Sequence, residues 1–243
     1  MNLRFLALAA AAATALVAGS ASAAMTITFS PLDWTMNAGE TEITQFQGGP
    51  TLGAITFNGP GFGLSGTAEL FTGSVDGVSA APAVPSSASV YDGSTGRDGT
   101  QYLSIQGGQT ATLTIGGAGL SELSFYVGSL DTYNTLSFHY ADGTAGPAIN
   151  GQTVADMTVV NQANGNQQSS NTNGRLTLTF DKPIDSVTLG SNQNAFEISE
   201  VAGISGAVPE PASWALLIVG FGATGAVLRA QRRQRLVPLR VRA

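Results

Sequence analysis

Cysteine is absent from the 243 residues, so disulfides, thiolate metal sites and cysteine nucleophiles are excluded. Histidine occurs once, as His139, and lysine once, as Lys182. One histidine without a thiol is a poor supply for zinc. A Ser-His-Asp triad would have to use His139, and no Gly-x-Ser-x-Gly turn accompanies it. Basic residues are scarce wherever the chain is polar: between Ala24 and Val208 three of them face fifteen acids, a net charge of −12. A body so acidic has no footprint for phosphate, which argues against nucleic acid as a partner. From Arg229 onward the balance reverses, with six arginines and no acid. Between residues 25 and 205 no stretch carries a helical apolar stripe, which leaves strands to build the core.

The first segment, 1–23, reads as a secretory signal peptide. Arg4 supplies the positive start, Phe5 to Val17 the apolar run, and Ala21-Ser22-Ala23 the small residues that signal peptidase requires. Beyond Met25 the composition turns to Ser, Thr, Gly, Asn and Gln, and the apolar period becomes two. Thr26–Phe29, Thr110–Ile115, Leu123–Val127, Thr135–Tyr140 and Arg175–Phe180 alternate apolar with polar or small residues, the pattern of half-buried strands. Leu64–Gly66 follows it less cleanly, and Asn194–Val201 is the last strand, with Phe196, Ile198 and Glu200 on one face and Glu197 and Val201 disturbing the alternation.

Asp92-Gly93, Asp98-Gly99, Gly107-Gly108, Gly116-Gly117, Asp142-Gly143, Asn150-Gly151 and Asn173-Gly174 punctuate these runs with turn chemistry. Ala80–Ser89, with Pro82 and Pro85, is a loop, and Asn161–Asn173 a polar loop or hairpin tip. The reading is therefore an all-β domain over 24–207 of roughly ten strands, a jelly-roll-like antiparallel β-sandwich. The same alternation also serves a closed barrel.

Candidate chemistry sits in loops. Calcium takes carboxylate, amide and carbonyl oxygens, and Asp92 with Asp98 in one loop, and Asp131 with Asn134 in another, supply such groups. Neither loop follows the EF-hand pattern, and aspartates at such positions commonly just close turns. Tyr133, beside Asp131 and Asn134, is the aromatic best placed as a sugar platform; Trp34, Tyr91, Tyr102, Tyr126 and Tyr140 read as packing residues. His139 falls on the outward face of its strand. Asp92, Asp98 and Glu122 would be the carboxylates of a polysaccharide hydrolase, but nothing fixes their separation, and no residue is read as catalytic.

The last segment, 208–243, has three parts in order. Pro209-Glu210-Pro211 is a short rigid element. Residues 212–228 are uncharged and apolar, opening on Trp214. Arg229, Arg232, Arg233 and Arg235 then form a basic cluster. Trp214 to Leu228 would form a helix of about 22 Å, short against a hydrocarbon core of about 30 Å. Trp214 suits one interface and the arginines the cytoplasmic side, so the body lies outside. Gly220, Gly222 and Gly225 thin the helix, which suits a removable address better than a permanent anchor.

Pro209-Glu210-Pro211-Ala212-Ser213-Trp214-Ala215, the apolar run after it and the closing arginines resemble the PEP-CTERM sorting signal in its PEPxxWA form. The resemblance covers about thirty residues, with Pro209, Glu210, Pro211 and Trp214 as the matched recognition positions. It implies processing by exosortase in a Gram-negative bacterium, a transient inner-membrane tether, and association with exopolysaccharide or biofilm matrix. The tail departs from the pattern by running on from Leu236 to Ala243. The body more weakly resembles the β-rich ectodomains that precede such signals, which implies a sandwich and assigns no binding residues. The expectation is a non-catalytic surface protein without a cofactor, calcium being the one candidate, with a lectin-like carbohydrate-binding module as the alternative.

Overall fold

The computed structural model describes residues 25–47, 57–59, 62–158, 160 and 162–206, together with residues 221 and 229. Twelve strands and one short helix follow one another. They are β1 (Met25–Pro31), β2 (Thr41–Thr44), β3 (Phe57–Gly59), β4 (Phe62–Gly66), β5 (Glu69–Thr72), β6 (Gln101–Ile105), β7 (Thr110–Ile115), β8 (Leu120–Gly128), β9 (Asn134–Tyr140), β10 (Ala145–Asn150), α1 (Gly151–Met157), β11 (Gly174–Ser191) and β12 (Phe196–Ser205). All pairings are antiparallel and belong to one curled sheet.

The curl comes from β11. Its first half, through Phe180, lies between β1 and β8, and its second half, from Ile184, between β7 and β9. Between them runs Asp181-Lys182-Pro183, where proline has no N–H to give to a ladder. One strand thus serves two wings. The first carries β1, β11, β8 and β12, with β6–β5 beside the start of β12 and β2 beside its end. The second carries β3, β4, β7, β11, β9 and β10. Chain order alternates between wings from β6 through β9, so each connection crosses from one to the other.

Alternation explains the core. Leu123, Phe125, Val127, Leu176, Leu178 and Ile198 of the first wing meet Leu113, Leu136, Phe138, Val187 and Leu189 of the second in one buried cluster. The opposite face of the first wing is polar by the same alternation, with Tyr102, Ser104, Ser124, Arg175 and Glu197, yet all of these are buried. The segment between β5 and β6, residues 73–100, lies over that face. Trp34, Val84, Ala88, Val90 and Tyr126 form a second apolar cluster there, and Trp34 sits 4.8 Å from Tyr126, centroid to centroid. The Tyr126 hydroxyl donates to the Ala83 carbonyl at 2.6 Å, and Arg97 donates to that of Ala81 at 2.6 Å. Arg175, 1 % exposed, pairs with Glu200 and donates to Ser124 Oγ at 2.9 Å and the Trp34 carbonyl at 2.8 Å.

Several sequence expectations are corrected here. The described residues form twelve strands, where roughly ten are expected. β12 is buried on both faces through Ala202, because the overlying segment covers the side that alternation assigns to solvent. Asn150-Gly151 is the start of α1 and not a hairpin turn: the Asn150 side-chain Oδ1 accepts from Thr153 N at 2.9 Å, capping the helix. The described part of the Asn161–Asn173 segment is the polar loop of its two readings, with Thr172 and Asn173 at its end buried against the body.

Both ends of the body lie at the same edge of the first wing. Met25 pairs with Phe180, and the adjacent Thr179 pairs with Glu122, which pairs with Ile204. Among the described residues no helix is long and apolar enough to cross a membrane. The expected signal peptide 1–23 and the helix 212–228 lie outside the described residues, apart from Phe221, which is exposed.

Candidate functional site

The other end of β12 opens on a pocket of about 450 Å³. Its floor is Glu197, the second residue of β12, 2 % exposed. Oε1 accepts from Ala80 N at 3.0 Å, and the Ser129 hydroxyl donates to Oε2 at 2.6 Å. Ser79 Oγ lies 3.5 Å from the same carboxylate and donates to Ser104 Oγ at 2.7 Å. Tyr102, whose hydroxyl lies 3.1 Å from Ser79 Oγ, closes the network with a 2.9 Å bond to the Gly73 carbonyl. Burial pushes the Glu197 carboxyl up to about 7, against the opposing pull of its Ala80 and Ser129 donors. The same cause raises the Tyr102 hydroxyl to about 12.

Three segments wall the pocket. One is the hairpin Ser74–Ala80, closed by Val75 N donating to the Ser79 carbonyl at 2.8 Å. The second is the crossing between β8 and β9. There Asn134 Oδ1 accepts from Asp131 N at 2.6 Å, and the Tyr133 hydroxyl donates to Asp131 Oδ2 at 2.6 Å. That hydroxyl also stands 3.1 Å from the Asn194 carbonyl. Burial raises the Asp131 carboxyl above its ordinary range, partly offset by Tyr133, and raises the Tyr133 hydroxyl in turn. The third is the loop at Asn164–Gln167, held by Gly165 N donating to the Leu130 carbonyl at 3.0 Å. At Gly165 (φ +64°) an added Cβ would stand 2.2 Å from Asp131 Oδ1, so only glycine permits the approach.

Asn173 fastens these segments together. Its Oδ1 accepts from Ala83 N at 3.0 Å and Ser129 N at 3.2 Å, and its Nδ2 donates to the carbonyls of Asn166 and Ser169, each at 2.9 Å. A buried amide satisfied on both sides specifies one arrangement of three loops.

The structure divides the residues singled out from sequence. Asp131, Tyr133 and Asn134 come together at the pocket, Asp131 and Tyr133 in its lining and Asn134 holding the turn beneath. Asp92 and Asp98 line a separate cavity of about 420 Å³ with Arg97. Asp92 is held down to about 2 by the Thr95 hydroxyl, with the Ser94 and Thr95 amides adding to it. Asp98 is buried, its Oδ1 accepting from Thr100 N at 2.8 Å. Both therefore close turns. Glu122 bonds to Asn37 and Thr179, away from either aspartate. His139 faces solvent as alternation requires, with Nδ1 3.4 Å from Asp185. Tyr102, Tyr126 and Tyr140 are buried packing residues, as read. Among the described residues no group of three or more His, Cys, Asp or Glu side chains stands together to hold a metal ion. The expected sorting residues Pro209, Glu210, Pro211 and Trp214, and Arg232, Arg233 and Arg235, lie outside the described residues; Arg229 is described and exposed.

Sequence reasoning missed Glu197, Ser129 and Ser79. The signal for Glu197 was present as a carboxylate breaking the alternation of an apolar strand; Ser129 and Ser79 carry no such signal. No family model, curated protein or solved structure matches the chain.

Proposed function

We propose that this is an exported, non-catalytic protein of the cell envelope, addressed by a PEP-CTERM-type signal over residues 208–243 and processed by exosortase. Its body is a jelly-roll-like β-sandwich ectodomain that serves the exopolysaccharide or biofilm matrix. The observation that carries the reading is the order of parts in the final segment: Pro209-Glu210-Pro211, an uncharged run opening on Trp214, then arginines. Signal peptidase would remove 1–23, and the arginines would hold the tail on the inner side of the inner membrane until exosortase acts. The wings sharing β11, with consecutive strands crossing between them, support the sandwich.

The geometry of the body suits such a tether. The chain enters at Met25 and leaves after Ser205 at one edge, while Glu197 lies eight residues earlier on the same strand. At about 3.3 Å per residue the pocket stands roughly 26 Å from the exit point. A body fixed by its C-terminal segment would therefore hold the pocket away from the membrane. This favours, as a second reading, a lectin-like module for matrix carbohydrate.

Deletion of residues 209–243 tests the address. In an exosortase-bearing host the full chain should fractionate first with the inner membrane and then with surface material, and the truncated chain should be released. A truncated chain that stays with the membrane as the full chain does would remove the sorting reading. Mass spectrometry of both mature ends would show whether cleavage falls after Ala23 and near Pro209-Glu210-Pro211.

A further inference from the structure

We propose that the pocket floored by Glu197 and walled by Asp131, Tyr133 and the 74–80 hairpin is a binding site for a neutral saccharide unit. The inference rests on the lectin-like reading and gives it a location and a ligand class.

The lining decides the class by elimination. Among the described residues no lysine, arginine or histidine lines it, so phosphate, sulfate and uronate ligands would meet the carboxylates of Asp76, Asp131 and Glu197 without a counter-charge. Its apolar members are Val75, Val78, Ala80 and Ala195, too small an apolar wall for a lipid or a fused aromatic ligand. A volume of about 450 Å³ lies within the range of small-molecule sites. A hard cation favours several converging carboxylates; Asp76, Asp131 and Glu197 all line the pocket, yet among the described residues no three or more His, Cys, Asp or Glu side chains stand together to hold a metal ion. Glu197 is also poor in fixed negative charge near neutrality, because burial raises its carboxyl to about 7.

What the pocket offers suits hydroxyl groups, which both donate and accept. Glu197 and Asp131 present carboxyl oxygens whose other lone pairs are already committed to Ser129, Ala80 and Tyr133, so both are held in fixed orientations. Asn164 and Gln167 stand exposed at the rim with amides that donate and accept. Tyr133 is half-buried, its hydroxyl fastened to Asp131, so its ring is positioned at low entropic cost for the apolar face of a pyranose. The buried parts of the site are preorganised by Asn173, while its rim is open.

The test uses the full chain in a detergent without a sugar headgroup. Saturation-transfer NMR and thermal melts are recorded with glucose, galactose, mannose, N-acetylglucosamine and cellobiose, with glucuronate and calcium chloride as contrasting arms. At least one neutral sugar should give transfer and raise the melting temperature, and glucuronate should give neither. Tyr133→Ala and the rim variant Gln167→Trp, which occupies the mouth without touching the buried network, should each weaken binding at least tenfold. Absence of transfer from every neutral sugar, or a melting shift produced by calcium alone, would overturn the proposal. Sugar binding unchanged in both variants would also overturn it, while leaving the lectin-like reading standing with its site elsewhere. The sorting reading is decided separately by the deletion.

Discussion

The Ser129 hydroxyl donates to Glu197 Oε2 at 2.6 Å across 68 residues of chain, joining the crossing between β8 and β9 to the start of β12. Ala80 brings the overlying segment to the other oxygen of the same carboxylate. One buried acid thus ties three segments at the end of the sheet opposite Met25 and Ser205.

That acid makes stability depend on pH. Its carboxyl is raised from an ordinary 4.5 to about 7, so the folded protein holds its proton more tightly than the unfolded chain. The contribution is whole below about pH 4.5 and is lost as pH rises to about 7, a change on the order of 3 kcal/mol. Asp131 and Glu200 are raised as well and act in the same direction. The melting temperature should therefore fall between pH 5 and 8. Glu197→Gln keeps an acceptor for Ala80 and a partner for Ser129, and should flatten the profile markedly while leaving the residual slope of the other two. A slope equal to that of the wild type would show that Glu197 does not govern it.

Arg175 and Glu200 form the second buried polar tie. Removing one partner leaves the other charge without compensation, which costs about 3–5 kcal/mol. Arg175→Met should thus lower the denaturation midpoint strongly, as should Glu200→Leu. The double variant should be far less destabilised than the sum of the two, because its residual cost is confined to the Ser124, Trp34 and Gln45 contacts. Additive effects in a double-mutant cycle would contradict the pair as drawn.

How much of this was legible depends on what covers each face. β7, β9 and the first half of β11 were plain from alternation, since Leu113, Leu136, Phe138, Leu176 and Leu178 point inward and their neighbours are polar. β12 misled because the 73–100 segment buries the polar side of the first wing, and a local pattern cannot report a cover arriving from over 100 residues away. The turn holding Asp131, Tyr133 and Asn134 was identified from its residue types alone. Its partner Glu197 shows in the sequence only as a break in the alternation, which does not place it at the pocket until its donors Ser129 and Ala80 are in view. The double service of β11 is marked in sequence only by Pro183, which a hairpin would display equally.

Gly165 sets the distance between the 164–167 loop and the pocket. Gly165→Ala places a methyl group against the Asp131 carboxylate and strains a residue at φ +64°. The cost should be about 1–3 kcal/mol. Because the loop must retreat from Asp131, the bond from Tyr133 should loosen, and the tyrosine titration should shift toward its ordinary value. Unchanged stability and an unchanged titration would mean that the loop does not press on Asp131.

The loop from Tyr91 to Gly99 provides the contrast, since sequence alone made it as good a calcium candidate as the Asp131 turn. Asp92 already accepts from the amides of Ser94 and Thr95 and from the Thr95 hydroxyl, so its oxygens are committed within the turn. Those donors hold its carboxyl down to about 2, so the stability it contributes is present at neutral pH and is lost only as pH falls from about 4 toward 2. Asp98 completes the hairpin through its bonds to Thr100. On this account Asp92 is satisfied by the loop's own donors. Asp92→Ala should lower the melting temperature equally with and without a chelator, and a chelator should leave the wild-type midpoint unmoved. A chelator-dependent fall in the wild type that vanishes in Asp92→Ala would instead assign the loop to calcium.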